Sequence, residues 1–240
     1  MLASDKFITE YALKYRRAAE KRLRCGNAYD QSAKRLGLTG TLRRRTGIDS
    51  NWTAELELFA TVPSAIAGRG GAYTAAEFFE VAYWKTWRPV WCYVRNSPGQ
   101  IEALTRIALL TANDLEPPGR ATNQGYVAVC RALGEPDGLH GVGVPVASAL
   151  LTLFDPNKFT VIDVRVIRTL WNAGELASYT EAKRPQRWWE QHYGLYVEAC
   201  HSVRDRCRAL GAVEIDLRTV DRALWAANGK TPAASTSLER

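Results

Sequence analysis

Apolar positions recur along this chain at intervals of three and four residues and almost nowhere in strict alternation, the periodicity of helices rather than strands. Residues 5–24 place Phe7, Tyr11, Tyr15 and Ala18 on one face, with Lys and Arg largely elsewhere. Trp52 to Ala67 is a second apolar stretch, closed by Gly68-Arg69-Gly70-Gly71. Thr74 with Glu77 three residues on forms a capping box for a helix carrying Phe78, Phe79, Tyr83, Trp84 and Trp87. Ser97-Pro98 with Gln100 opens the next, which runs through Ile101, Leu104, Ala108 and Thr111. Residues 121–133 carry Tyr126, Val127, Val129 and Cys130. A run from Pro145 brings Val146, Ala149, Leu150 and Leu153 to one side, since proline suits a first helical turn. Asp163 then precedes Val164, Ile167 and Leu170 at helical spacing. Residues 183–210 read as one long or broken helix, and Asp216 caps a last one with Val220, Leu224 and Trp225. The pattern predicts an all-α protein.

Composition narrows the setting. The chain has 240 residues, no apolar run of membrane-spanning length and five scattered cysteines, an odd number that fits a reducing cytoplasm. Its net charge of +7 is unevenly placed: residues 1–45 hold 12 Lys/Arg against 4 Asp/Glu. A basic excess of this kind favours a polyanion and salt-sensitive binding. The expected organisation is a basic helical region over 1–50 packing on a main domain of 51–227, then a flexible tail over 228–240. There is no internal repeat, P-loop, dinucleotide fingerprint or nucleophile elbow. His192, Cys200, His201 and Cys207 lack the paired spacing of a zinc site, so no metal is expected.

The most informative stretch is Leu139–Trp171. Gly141 and Gly143 flank Val142 in a tight turn that opens the helix beginning near Pro145. Glycines let the backbone turn sharply and approach a ligand closely, while free N–H groups at a helix start attract an anion such as phosphate. Asp155-Pro156-Asn157 stops that helix, and Thr160-Val161-Ile162 leads to Asp163 near the N-terminus of the next.

Leu139, Gly141, Val142, Gly143 and Ala147, followed by Val161-Ile162-Asp163, resemble the hairpin and catalytic segment of the helix-hairpin-helix DNA glycosylase superfamily. The resemblance implies a two-lobed helical bundle with a helix-hairpin-helix DNA-binding motif, and puts Asp163 in the place of the catalytic aspartate. Many members carry a lysine two residues after the second glycine, where this chain has Pro145; without an amine there, base removal without lyase chemistry is implied. Only Cys200 and Cys207 stand where four spaced cysteines would bind an iron–sulfur cluster, so no cofactor is expected.

Under this resemblance, DNA is the partner of a monomeric protein. Backbone N–H groups around Gly141, Val142, Gly143 and Val144 would grip phosphates, fixing register without reading sequence, while His140, in place of the family's usual proline, would touch phosphate or face solvent. Trp84, Lys85, Trp87 and Arg88, with Asn123 and Tyr126 ahead of the hairpin, are the expected wall of a pocket for a flipped base. A carboxylate at Asp163 would stabilise the positive charge that develops on deoxyribose as the N-glycosidic bond stretches, and would orient or deprotonate the attacking water. The substrates implied are bulky modified cytosines of phage DNA, in a bacterial defence role, or oxidised, alkylated or mismatched bases in repair. A non-catalytic helix-hairpin-helix module, with Asp163 only a cap, and a helical scaffold are the competing readings.

Overall fold

The structure, a computed structural model, describes residues 5–20, 31, 34–35, 37–38, 50–86, 89–118, 122–134, 136–176 and 185–230. Most of the expected basic region between 21 and 49, and the expected tail beyond Lys230, lie outside the described residues. Among the described residues the protein is all-α. In chain order the helices are α1 (Asp5–Ala19), α2 (Asn51–Gly68), α3 (Ala75–Lys85), the single turn α4 (Val90–Tyr93), α5 (Pro98–Asn113), α6 (Asn123–Leu133), α7 (Val144–Phe154), α8 (Val164–Asn172), α9 (Pro185–Ala209) and α10 (Leu217–Ala227). None is long and apolar enough to cross a membrane.

The sequence of α7, Val-Pro-Val-Ala-Ser-Ala-Leu-Leu-Thr-Leu-Phe, is apolar all round, and a helix of that kind must be covered on every side. It forms the centre of the bundle, in contact with α2, α3, α5, α6 and α9. Its two polar residues are absorbed locally: Ser148 Oγ donates to the Pro145 carbonyl and Thr152 Oγ1 to that of Ser148. On the other side of the molecule α1 lies along α10, and Phe7 and Ile8 of α1 join the same continuous core as the remaining helices.

Side-chain caps set most of the boundaries. Ser50, Thr74, Ser97, Asp163 and Asp216 each accept a backbone N–H from the first turn that follows, and Thr74 and Glu77 complete the expected capping box. The segment read as helical over 5–24 is helix to Ala19, with 21–24 outside the described residues, and α3 ends at Lys85, with Trp87 likewise outside them.

The helix expected over 183–210 is the broken version: α9 kinks at His192, where φ is −136°. Asn123, at the start of α6, explains how the break is tolerated. Its amide donates to the Gln191 carbonyl at 3.0 Å and accepts from the Leu195 N–H at 3.2 Å, supplying partners for backbone groups at the kink. Close approach is possible because residue 194 is glycine; a Cβ there would lie 2.5 Å from Asn123 Cα. Gly194→Ala should therefore cost about 1–3 kcal/mol through forced separation of α6 and α9. Gly68→Ala, on a helix end where a Cβ meets nothing within 4 Å, should be neutral or slightly stabilising. Urea unfolding of the two variants checks this; equal midpoints would refute the account of the kink.

Candidate functional site

Residues 159–162 form neither helix nor sheet, yet Phe159, Thr160, Val161 and Ile162 are all buried. Buried backbone polar groups need partners, and here side chains from three helices supply them. Tyr193 and Tyr196 of α9 donate to the carbonyls of Thr160 and Val161 at 2.9 and 2.8 Å. Burial pushes both phenols well above their ordinary pKa, so they remain donors. Ser148 of α7 accepts the Ile162 N–H at 3.0 Å, and Lys85 of α3 donates to the Ile162 carbonyl at 2.8 Å. The clamp fixes the direction in which the next residue, Asp163, leaves the core.

Asp163 is the N-cap of α8, its Oδ1 accepting from the Arg165 N–H at 2.9 Å. Its Oδ2 lies 3.4 Å from the Lys85 ammonium. Both residues line a cavity of about 230 Å³, together with Tyr15, Trp84, Arg218, Asp221 and Trp225. The ring of Trp84 meets Phe59 edge-on, and Arg165 sits over Trp225 at 4.1 Å, so each tryptophan also has a packing neighbour within the protein. Carboxylates, an amine and aromatic faces thus converge from α1, α3, α10 and the start of α8.

Beside this cavity lies a buried charge cluster. The Glu55 side chain, on α2, is fully buried; it accepts from Tyr15 at 2.5 Å and from both Arg218 and Arg222 at 2.8 Å. Burial alone would raise its carboxyl, but Arg218, Arg222 and the Tyr15 hydroxyl hold it below the ordinary carboxylate range. Tyr15 moves the other way, because burial outweighs the nearby guanidinium, and it stays a phenol. Arg218 also donates to Asp221, one turn on. For Asp221 burial wins: despite Arg218 and Lys85, and helped by the charges of Glu55 and Asp163, its carboxyl is pushed up to about 6.

Of the residues expected to form the base pocket, Trp84 and Lys85 do line the cavity with Asp163. Trp87 and Arg88 lie outside the described residues. Asn123 and Tyr126 are elsewhere, because packing claims them. Asn123 serves the kink of α9, while Tyr126 is fully buried against Phe159 and Tyr193 and donates to the Glu116 carbonyl. The sequence reading missed Glu55, Arg218 and Asp221. Their signal was a Glu inside the apolar α2 and an Arg and an Asp three apart on α10, which periodicity alone assigns to solvent.

The glycine turn is anchored more tightly than expected. Gly141 has φ +79°, and a Cβ there would lie 2.7 Å from Cys92 Cβ, so glycine is required twice over. The His140 N–H is taken by the buried Asn96 side chain at 2.7 Å, and the Val142 N–H by the Leu139 carbonyl. Of the expected phosphate-binding backbone groups, the Val142 N–H is thus already engaged, whereas Gly143 and Val144 open α7 at its positive end. The link between α6 and the turn is closed at its base by the bond from the Leu139 N–H to the Leu133 carbonyl. The four chemistry-bearing residues of α9 have structural surroundings: His192 and His201 lie against the carbonyls of Trp188 and Lys158, and Cys200 and Cys207 are buried. No described group of three His, Cys, Asp or Glu residues could share a metal ion.

The raised Asp221 carboxyl has a stability signature. Between about pH 4 and pH 6 the folded chain holds a proton there that the unfolded chain has lost, so this contribution to stability falls as pH rises through that window. Relative to Asp221→Asn, which lacks the titration, the wild type should lose on the order of 2 kcal/mol between pH 4 and pH 7. Urea titrations of both proteins across that range measure it; a difference independent of pH would show that Asp221 is ionised throughout. Comparison with models of known protein families, with curated proteins and with solved structures returns no match.

Proposed function

We propose that the protein is a monofunctional DNA glycosylase, which takes a base out of the duplex and hydrolyses its N-glycosidic bond at Asp163. The observation that carries this reading is the convergence of Asp163, Lys85 and Trp84, distant in the chain, on one cavity. Such a cavity suits a ring system held against aromatic faces with a carboxylate at its sugar. At about 230 Å³ it lies below the usual range for drug-sized ligands, and so fits a base of ordinary size with any bulky substituent directed out of the mouth. Asp163 stabilises the oxocarbenium-like sugar and accepts a proton from the attacking water. Lys85, rooted on the Ile162 carbonyl, holds the carboxylate in position and adds positive charge towards a phosphate or an electron-rich leaving base. Gly143 and Val144 offer the start of α7 to the DNA backbone, and the basic residues of 1–45 add a sequence-independent attraction. A purely DNA-binding module has no use for a cavity lined by two carboxylates.

The test is a panel of duplexes carrying uracil, hypoxanthine, 8-oxoguanine, N7-methylguanine or mismatches, together with phage DNA containing bulky modified cytosines, scored for released base and alkali-labile sites. Wild type should release a base from at least one member. Asp163→Asn should bind the same DNA within a few-fold but lose base release by roughly 10²-fold or more. Full turnover by that variant would refute the role of Asp163, and silence of the wild type across the panel would favour a binding module.

A further inference from the structure

The cavity holds a second carboxyl whose surroundings are the opposite of those of Asp163. The Asp163 side chain is 26% exposed and is met by a backbone N–H and the Lys85 ammonium. Asp221 projects from α10 into the same cavity but is itself buried. The groups that face it come from every side. Arg218 on its own helix donates to Oδ2; Glu55 and Tyr15 lie behind that guanidinium; Lys85 and Asp163 face it across the cavity. Tyr196 and Cys200 of α9 complete the surroundings, both kept neutral by burial. Two carboxyls in one cavity, one partly solvated and paired with an ammonium, the other desolvated, is the arrangement that separates an ionised group from a proton-holding one.

Building on the glycosylase reading, we infer that Asp221 is a second catalytic residue, the general acid that protonates the departing base while Asp163 serves the sugar and the water. Arg218 fixes Oδ2 and leaves Oδ1 to carry the proton. As the bond between C1′ and the base nitrogen breaks, its electron pair leaves with the base and the Asp221 proton passes to the base. Water oxygen bonds to C1′, and a water proton goes to the Asp163 carboxylate. One water is consumed, a neutral base and an abasic sugar are formed, and solvent exchange returns the proton from Asp163 to Asp221. The upward displacement of the Asp221 carboxyl to about 6 agrees with this assignment. Glu55 has a defined part in this arrangement, since by pairing with both Arg218 and Arg222 it limits how strongly Arg218 can hold Asp221 ionised.

A general acid matters only for a base that leaves as an anion, which gives the test its discrimination. Single-turnover base release is measured from pH 4.5 to 8.5 with two duplexes, one carrying the neutral base that wild type releases fastest from the panel and one carrying N7-methylguanine, which is already cationic. Wild type should slow on the neutral base as pH rises through about 6. Asp221→Asn should lose roughly 10²-fold or more on the neutral base and lose that limb, while changing only a few-fold on N7-methylguanine. Asp221→Glu should retain a limb, displaced along the pH axis; it also serves if the asparagine variant does not fold. Equal losses on both bases, or an unchanged pH profile in either variant, would overturn the general-acid role and leave Asp163 untouched. Absence of base release by wild type from both duplexes would overturn the glycosylase reading and this role with it.

Discussion

Arg218 is the residue on which the site depends. Its guanidinium is buried where α1, α2, α3 and α10 meet, and it is matched to Glu55, Asp221 and the Tyr15 hydroxyl while lying 5.4–5.7 Å from the rings of Phe59, Trp84 and Tyr15. Removing a charge of this kind from water costs several kcal/mol, and deleting one partner of a buried pair typically costs about 3–5 kcal/mol because the other is left uncompensated. A hydrophobic replacement of the whole cluster would pack at no such cost. The cluster builds a polar wall into an apolar bundle. Glu55 ties α2 to α10, and Tyr15 ties α1 to both.

The second constraint is the extended segment before Asp163. Four consecutive buried residues without secondary structure would normally leave backbone groups unpaired. Here Tyr193, Tyr196 and Lys85 take the carbonyls of Thr160, Val161 and Ile162, and Ser148 takes the Ile162 N–H. The clamp joins the two faces of the protein. Tyr193 stands just beyond the kink in α9, where Asn123 from α6 supplies the backbone partners, and Ser148 belongs to the central α7. The kink is thus linked to the segment before Asp163 through Tyr193 and the Thr160 carbonyl, although Asn123 and Gly194 are not cavity residues.

Much of this was legible in the sequence because its signals are local. Capping residues act over two or three positions, so Thr74, Ser97, Asp163 and Asp216 could be read directly. Asp163 was legible because the turn, the helix and the cap follow one another in the chain. Asn123 and Tyr126 do not line the cavity, for a complementary reason. A polar or aromatic residue on a helix next to a functional turn looks the same whether it faces a ligand or another helix, and here a kink seventy residues away claims the one and the tyrosine packing of α9 the other. Glu55, Arg218 and Asp221 were illegible because their meaning lies in a pairing across more than 160 positions, and periodicity reads isolated charges as solvent-facing.

The cavity makes one further sense of the long separation between its parts. Asp163 and Lys85 are held by backbone groups, a carbonyl and an N–H, and their geometry is therefore set by the clamp and the helix start. Asp221 is held by side chains alone, through Arg218, and Arg218 is in turn held by residues of α1 and α2. Substitutions in α1 and α2 can thus move the Asp221 carboxyl without moving Asp163. The two carboxyls of one cavity thus rest on different supports, backbone groups around Asp163 and side chains around Asp221.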